Sequence, residues 1–414
     1  MPLLAFVSSI TLVHSPSSFF LLSKLSRPRM SSSTSPSVSI PIPQNRVVLG
    51  LGTVSVDFLA AVTSYPNPDD KIRTTSLKVQ GGGNVGNALT SAARLGLTAR
   101  IISKVANDSQ GRSILEELEA DGVHTSFLVV SEGGISPFTY VIVDNKTHTR
   151  TCIHTPGSPP MVPGDLSRSS LLSALDGATI VYFDARLYET ALVVAQEAAR
   201  QNIPVLVDAE RKREGLDDLL TFANYVVCSA KFPQEWTEAP SIPSALVSML
   251  LRLPKLRFVI VTLGENGCIM LERITNETPD QLEEFEVDSL LEVIKGRKDK
   301  NINIPTSVSS PVAKLRAEGI GTVCGRLLLG TAEKIPESEI LDTTGAGDAF
   351  IGAVLYGIHD FHFISSLMCQ HATREVVAIF CPGGCWMLSG FGCSKRSSIS
   401  YRSMLSIFLT INIC

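Results

Sequence analysis
Short apolar runs alternate with helix-patterned segments between residues 179 and 262, and this rhythm constrains the fold more than any other feature of the chain. The runs at 179–183, 205–207, 225–228 and 258–262 read as strands, with helices between them at 189–201, 217–222 and 242–251. Strands that are apolar throughout need cover on both faces, which predicts a doubly wound, mostly parallel α/β sheet. The same rhythm begins at 47–52, a short apolar run ending in glycine, and resumes with a helix at 87–95, a strand at 99–105 and a helix at 109–121. Two stretches break it. Residues 71–80 alternate in β-prone fashion into glycines, and 138–144 with 150–155 flank Asn145-Lys146-Thr147-His148 as a β-hairpin. They predict a small antiparallel β lid beside the main sheet.

The regular pattern covers residues 46–358, one catalytic-sized domain in a chain of 414. With 44% hydrophobic and 18% charged residues the chain can fill a large core. A net charge of −4, without a basic stripe interleaved with aromatics, gives no case for nucleic acid. No apolar run reaches the roughly 18 residues of a spanning helix, so no membrane partner is expected. Residues 1–45 are rich in Ser and Pro, basic, and free of Asp and Glu. They read as a disordered leader or an organelle transit peptide, which leaves plastid and cytoplasm both open, and Met30 is a second start. Residues 275–311 turn acidic, then basic, then Ser- and Pro-rich, and read as a solvated, mobile insertion carrying one short helix near 287–294. Residues 359–414 form an atypical, poorly ordered tail holding Cys369, Cys381, Cys385, Cys393 and Cys414. The earlier cysteines, Cys152, Cys228, Cys268 and Cys324, read as small buried apolar residues in a reducing compartment.

Chemistry concentrates in two strings. In Asp342-Thr343-Thr344-Gly345-Ala346-Gly347-Asp348-Ala349-Phe350, small residues open into an apolar run. Such a turn lets a ligand approach the backbone N–H groups, and a helix starting there favours an anion. A carboxylate at an anion cradle suits a base that deprotonates a hydroxyl while the cradle holds a phosphoryl group. An Asp capping a helix after a glycine turn is the plainer alternative. In Gly81-Gly82-Gly83-Asn84-Val85-Gly86-Asn87, the glycines would let a polyol touch backbone while Asn84 and Asn87 bond its hydroxyls; the alternative is a tight turn. Asp57 follows the first strand, where an ionised carboxylate can accept from both hydroxyls of a diol. Thr262-Leu263-Gly264-Glu265-Asn266-Gly267 reads as a hairpin turn.

The strings G-G-N-x-x-N-A and D-T-x-G-A-G-D-x-F, in this order, resemble the two signatures of the ribokinase (PfkB) family of sugar and nucleoside kinases. The pattern is similar to plant ketohexokinase-like members. The resemblance covers roughly residues 46–358 and implies a ribokinase-like fold, ATP and Mg2+ as cofactors, and phosphorylation of a small sugar. A ketohexose such as fructose is the expected acceptor, at a primary hydroxyl. It implies Asp348 as base with Gly345, Ala346 and Gly347 as anion hole. Asp57, Gly83, Asn84, Asn87, Asp184 and Asp342 are implied at the sugar, and Thr262, Gly264, Gly267 and Arg213 at the nucleotide. A homodimer through the lid is the implied partner. A nucleoside kinase is the first alternative, and a non-catalytic kinase-like protein in a plastid complex the second. The family's N-x-x-E is absent: Cys228-Ser229-Ala230-Lys231 stands in its place, so the metal ligands are left unassigned.

Overall fold
The computed structural model describes residues 46–147, 149–275, 281–297, 306–332 and 344–359. The leader, Asp342 and residues 360–414 lie outside them, and so do the expectations placed on those segments. Strands and helices are numbered in chain order. The parallel part of the main sheet runs β5 (Val123–Ser131), β4 (Thr98–Ala106), β1 (Val47–Leu51), β8 (Ala178–Phe183), β9 (Val205–Ala209), β10 (Tyr225–Ser229) and β11 (Phe258–Thr262). Antiparallel strands β12 (Cys268–Arg273), β16 (Gly321–Gly330) and β15 (Ala313–Ala317) extend it, and β13 (Glu284–Glu286) and β14 (Ser307–Ser309) finish the edge.

Two cores cover the two faces. Against one pack α1 (Asn84–Arg94), α2 (Ser109–Ala120) and α9 (Ala346–Ile358), through residues such as Leu89, Ile114 and Val354. The other face receives α4 (Tyr188–Arg200), α7 (Ile242–Arg252) and α8 (Val287–Gly296), through Val194, Leu246 and Leu290. Leu49, Val181, Val207 and Val259 point to this second core, while their neighbours Val48, Ile180, Leu206 and Phe258 point to the first. That two-sided burial is why β8 to β11 are apolar at almost every position.

The chain leaves β1 for β4 on one side and later returns to β8 on the other. Connections thus diverge between β1 and β8, and open α/β sheets bind ligands at the carboxyl ends of strands at such a reversal. Beside it stands the lid: β3 (Ser76–Gly82), β2 (Ser55–Val62), β6 (Phe138–Asp144) and β7 (Thr149–Thr155), in that order. Its outer pairs are antiparallel, as expected for hairpins, and its central pair β2–β6 is parallel.

Three readings change. The described part of 275–311 is not a solvated insertion, because α8 buries Val287, Leu290, Leu291 and Ile294 and β13 and β14 join the sheet. Four such side chains, at about 1.5–3 kcal/mol each, outweigh the solvation of the charges on the opposite side of that helix. Cys152 is exposed on edge strand β7, whereas Cys228 and Cys268 are buried and Cys324 is partly so. Finally, the family-like helix at 87–95 starts three residues earlier, at Asn84, because Gly83 already turns the chain with φ 86. Among the described residues no helix is long and apolar enough to cross a membrane.

Candidate active site
Leu51 and Phe183 are register partners, so the residues just beyond β1 and β8 meet. Asp184 accepts the Thr53 backbone N–H and hydroxyl, each at 2.7 Å, on one oxygen, and the Arg186 N–H at 3.0 Å on the other. A Cβ on Gly52 would lie 2.1 Å from this carboxylate, which is why that position is glycine. Asp184 is 2% exposed, and burial raises its pKa against the pull of those bonds. It is first of all a strut that holds the crevice closed; both of its oxygens already accept protein hydrogen bonds.

Across the crevice α9 begins at Gly345, whose φ is 79. Among the described residues a side chain at Gly347 would meet nothing within 4 Å, so the first turn of the helix faces no described neighbour there. The N–H groups of a first helical turn have no acceptor within the helix, and the dipole adds positive potential there. Asp348 stands at this turn, half-buried, and Asn87 Nδ2 donates to its Oδ2 at 2.8 Å. The two residues meet because α1 and α9 cross closely. A Cβ on Gly352 would come within 2.3 Å of Ser91 Oγ and 2.9 Å of the Ala88 carbonyl, and Ser91 Oγ donates to the Ala349 carbonyl. Burial pushes the Asp348 carboxyl up to about 7, with the negative charges of Asp184 and Glu210 adding to the rise and the Asn87 bond opposing it.

Asp57 is buried, accepts from Ser55 Oγ at 2.8 Å, and occupies the space that a Cβ on Gly82 would need. Gly83 likewise makes room for protein: its missing Cβ would fall 2.5 Å from the Thr53 carbonyl oxygen. The glycines therefore bring the strand β2, with Asp57, against the start of α1, where Asn84 is half-buried. The space where a Gly83 side chain would lie is thus taken by protein backbone. Across the lid, Gln80, Asp57, Thr139 and His154 are successive register partners and share one face. Thr139 Oγ1 and His154 Nδ1 are 3.2 Å apart, and Gln80 is 7% exposed with its Oε1 unpartnered among the described residues. Burial, and secondarily the Arg186 charge, lower the pKa of His154 against the pull of Asp57 and so favour the neutral ring. Sequence reasoning missed Gln80, Thr139 and His154; the parity of each strand was readable, the pairing was not.

On the other flank Asp208 is the last but one residue of β9, and burial together with Asp348, Glu210 and Asp184 raises its pKa well above the ordinary carboxylate range. Glu210 gathers Arg186 at 3.2 Å, Arg213 at 3.0 Å and Arg211 at 3.9 Å. Thr262 ends β11, beside Ser229 in register. The following turn is a tight hairpin into β12, with the Leu263 N–H donating to the Gly267 carbonyl at 2.8 Å, and Gly264 and Gly267 at φ 59 and 85. Three strand spacings, roughly 14 Å, separate the β8 and β11 ends. Thr262, Gly264 and Gly267 thus lie at the same carboxyl end of the sheet as Asp184, three strands away. Among the described residues no three acidic, His or Cys side chains are spaced to enclose a metal ion.

The profile of pfkB family carbohydrate kinases matches residues 46–288. Mouse ribokinase is 22% identical over 315 residues, covering 75% of this chain and 80% of the relative. Mouse ketohexokinase is 24% identical over 230 residues, covering 54% and 76%. Among solved structures, Thermotoga maritima ribokinase superposes with a TM-score of 0.59 at 16% identity, over 88% of this chain and 99% of that one. Arabidopsis thaliana ribokinase complexed with ribose and ATP does so with a TM-score of 0.56 at 16% identity, over 84% and 94%. The crevice between β1 and β8, the lid and the helix start at Asp348 thus stand on a ribokinase-like fold, and the matched stretch is more than half of the 414 residues: the chain belongs to the pfkB family of carbohydrate kinases.

Proposed function
We propose that the chain transfers the γ-phosphoryl group of ATP to a primary hydroxyl of a small sugar, with a ketohexose as the favoured acceptor. One observation carries this reading. A carboxyl pushed up to about 7 stands in the first turn of α9 and accepts a hydrogen bond from Asn87 of α1, the helix that starts beside Asp57. Asp348 then takes the acceptor's proton, the hydroxyl oxygen bonds to phosphorus, and the bond to the ADP oxygen breaks with its electron pair leaving on ADP. The N–H groups of Ala346 and Gly347 bind the charge of the transferring group.

The acceptor side suits a polyol. Asp57, Gln80, Thr139 and His154 line one face of the lid, while the rings of Phe58, Phe138 and Tyr140 contact one another on the opposite face. A purine would call for a ring platform on the Asp57 side. The mouse ketohexokinase match and the ribose and ATP in the Arabidopsis structure support a sugar and ATP here. Magnesium fits as an ion held by the ATP phosphates and water, since it keeps several waters and uses one or two carboxylates. Asp208 and Glu210 would hold those waters, and the ion would neutralise phosphate charge.

The test is ATP consumption with ketohexoses, pentoses and nucleosides, using Asp348→Asn as the blank. Turnover should be fastest with a ketohexose. Turnover with nucleosides alone would replace the acceptor, and a wild type no faster than the blank on every acceptor would remove the kinase reading.

We further propose that a second copy of the chain covers the Phe58 face of the lid. Leu77, Val79, Tyr140 and Ile153 are large apolar side chains exposed together there, and contiguous apolar surface of this kind marks an interface. Light scattering should give a dimer that Val79→Lys with Tyr140→Glu converts to monomer. A wild type that stays monomeric at high concentration would refute it.

A further inference from the structure
Two strained residues bracket one side chain at the carboxyl end of β8. Ala185 has φ 56 and Leu187 φ 50, and neither is glycine. Side chains adopt this region at a cost that the surrounding structure must hold in place, and such positions cluster at active sites. Between them Arg186 is fixed from two directions. Its backbone N–H donates to Asp184, and its Nη2 donates to Glu210 at 3.2 Å. Its Nε is buried and has no partner among the described residues.

A buried donor on a guanidinium without an acceptor is costly, and the planar fork is built to bind phosphate oxygens. Arg186 also lies where the three parts of the site converge. Its charge acts on Asp184, Asp208 and Asp348, on His154 of the lid, and on Arg213 beside Glu210. Glu210 already accepts from Arg213, so it does not need Arg186 to avoid being unpaired. Two left-handed residues and a buried Nε without an acceptor are more than an arginine serving only to pair Glu210 requires.

We propose that Arg186 is a further catalytic residue, whose Nε–H binds a non-bridging oxygen of the phosphoryl group as it passes from ATP to the acceptor. This rests on the kinase reading above. The bond from phosphorus to the ADP oxygen breaks, the bond to the acceptor oxygen forms, the acceptor's proton goes to Asp348, and Arg186 keeps its own.

The experiment compares wild type, Arg186→Met and Arg186→Lys. Two quantities are read: steady-state kinetics, and calorimetric affinity for ADP with magnesium, alone and with aluminium fluoride as the phosphoryl mimic. Arg186→Met should lower kcat roughly ten- to 150-fold, the range of one charge-assisted bond, with the sugar KM within about threefold. Affinity for ADP with aluminium fluoride should fall by the same factor while ADP alone is little changed, and added guanidinium should restore part of kcat. Arg186→Lys, the variant to read where Met does not fold, should show the same pattern more weakly. A wild-type kcat in either folded variant, or an equal loss for ADP with and without aluminium fluoride, overturns the role while the kinase reading stands. A wild type that phosphorylates no acceptor and binds no tighter with aluminium fluoride overturns both.

Discussion

Asp348→Asn is expected to lower kcat by about 10²–10⁴, the usual worth of a general base, while sugar and ATP bind within a few-fold of wild type. The amide keeps the shape of the carboxylate in the first turn of α9 but cannot take the acceptor's proton. The wild-type pH profile carries the same signature. A carboxyl pushed up to about 7 is active once ionised, so kcat/KM should rise with pH through about 7. Asn87 donates to the Asp348 carboxylate and so favours its charged form. Asn87→Ala should therefore move the acid limb to higher pH; a bond to an ionised group is worth about 1.5–3 kcal/mol, or about one to two pH units. Stability should change in the opposite sense to activity. The folded pKa lies above the ordinary 3.8, so the contribution of Asp348 to stability is fully present below that value and is lost as pH rises through about 7. Asp348→Asn should accordingly melt no lower than wild type at pH 8. A variant that retains more than half of the wild-type kcat would remove Asp348 from the role of base.

The parts of this site differ in how far the chain's local pattern reveals them. β8 to β11 are legible because two-sided burial forces Val, Ile, Leu and Phe at successive positions. The helix start at Asp348 is legible because the turn before it needs a glycine at 345, where φ is 79. The bond from Asn87 to Asp348 is not, since it depends on how closely α1 and α9 cross, and Gly352 and Ser91 set that approach without any local signal. The lid divides the same way. Alternation tells which residues of β2 share a face with Asp57, but the parallel pairing that sets Thr139 beside it joins strands far apart in the chain. Asp184 shows a third kind of limit: a strand-end carboxylate is visible in sequence, while the Thr53 and Arg186 donors that occupy both of its oxygens are visible only in the fold. The helix α8 itself is legible near 287–294, whereas the charges around it hide that its apolar side joins the core.

Asp57→Ala should raise the sugar KM far more than the ATP KM. The carboxylate is 7% exposed and is held by Ser55 Oγ on one oxygen, with the missing Cβ of Gly82 leaving it just enough room. Its register neighbours Gln80 and Thr139 place hydrogen-bonding groups on either side, so a sugar hydroxyl that bonds Asp57 meets further polar partners along the same row. Two charge-assisted bonds to neighbouring hydroxyls contribute about 2–3 kcal/mol, which corresponds to a sugar KM on the order of 30–150-fold higher. Asp57→Asn should fall between, because the amide keeps one acceptor and loses the charge. With the nucleotide placed, as the resemblance implies, at Thr262, Gly264, Gly267 and Arg213 rather than on the lid row, the ATP KM should move by less than about threefold. Ser55→Ala serves as the control for lid structure: it removes a donor to Asp57 without removing the carboxylate, and should raise the sugar KM by only a few-fold. Equal effects of Asp57→Ala on both substrates would instead make Asp57 a strut of the lid, bonded to Ser55 and packed on Gly82, with the sugar held elsewhere on the row.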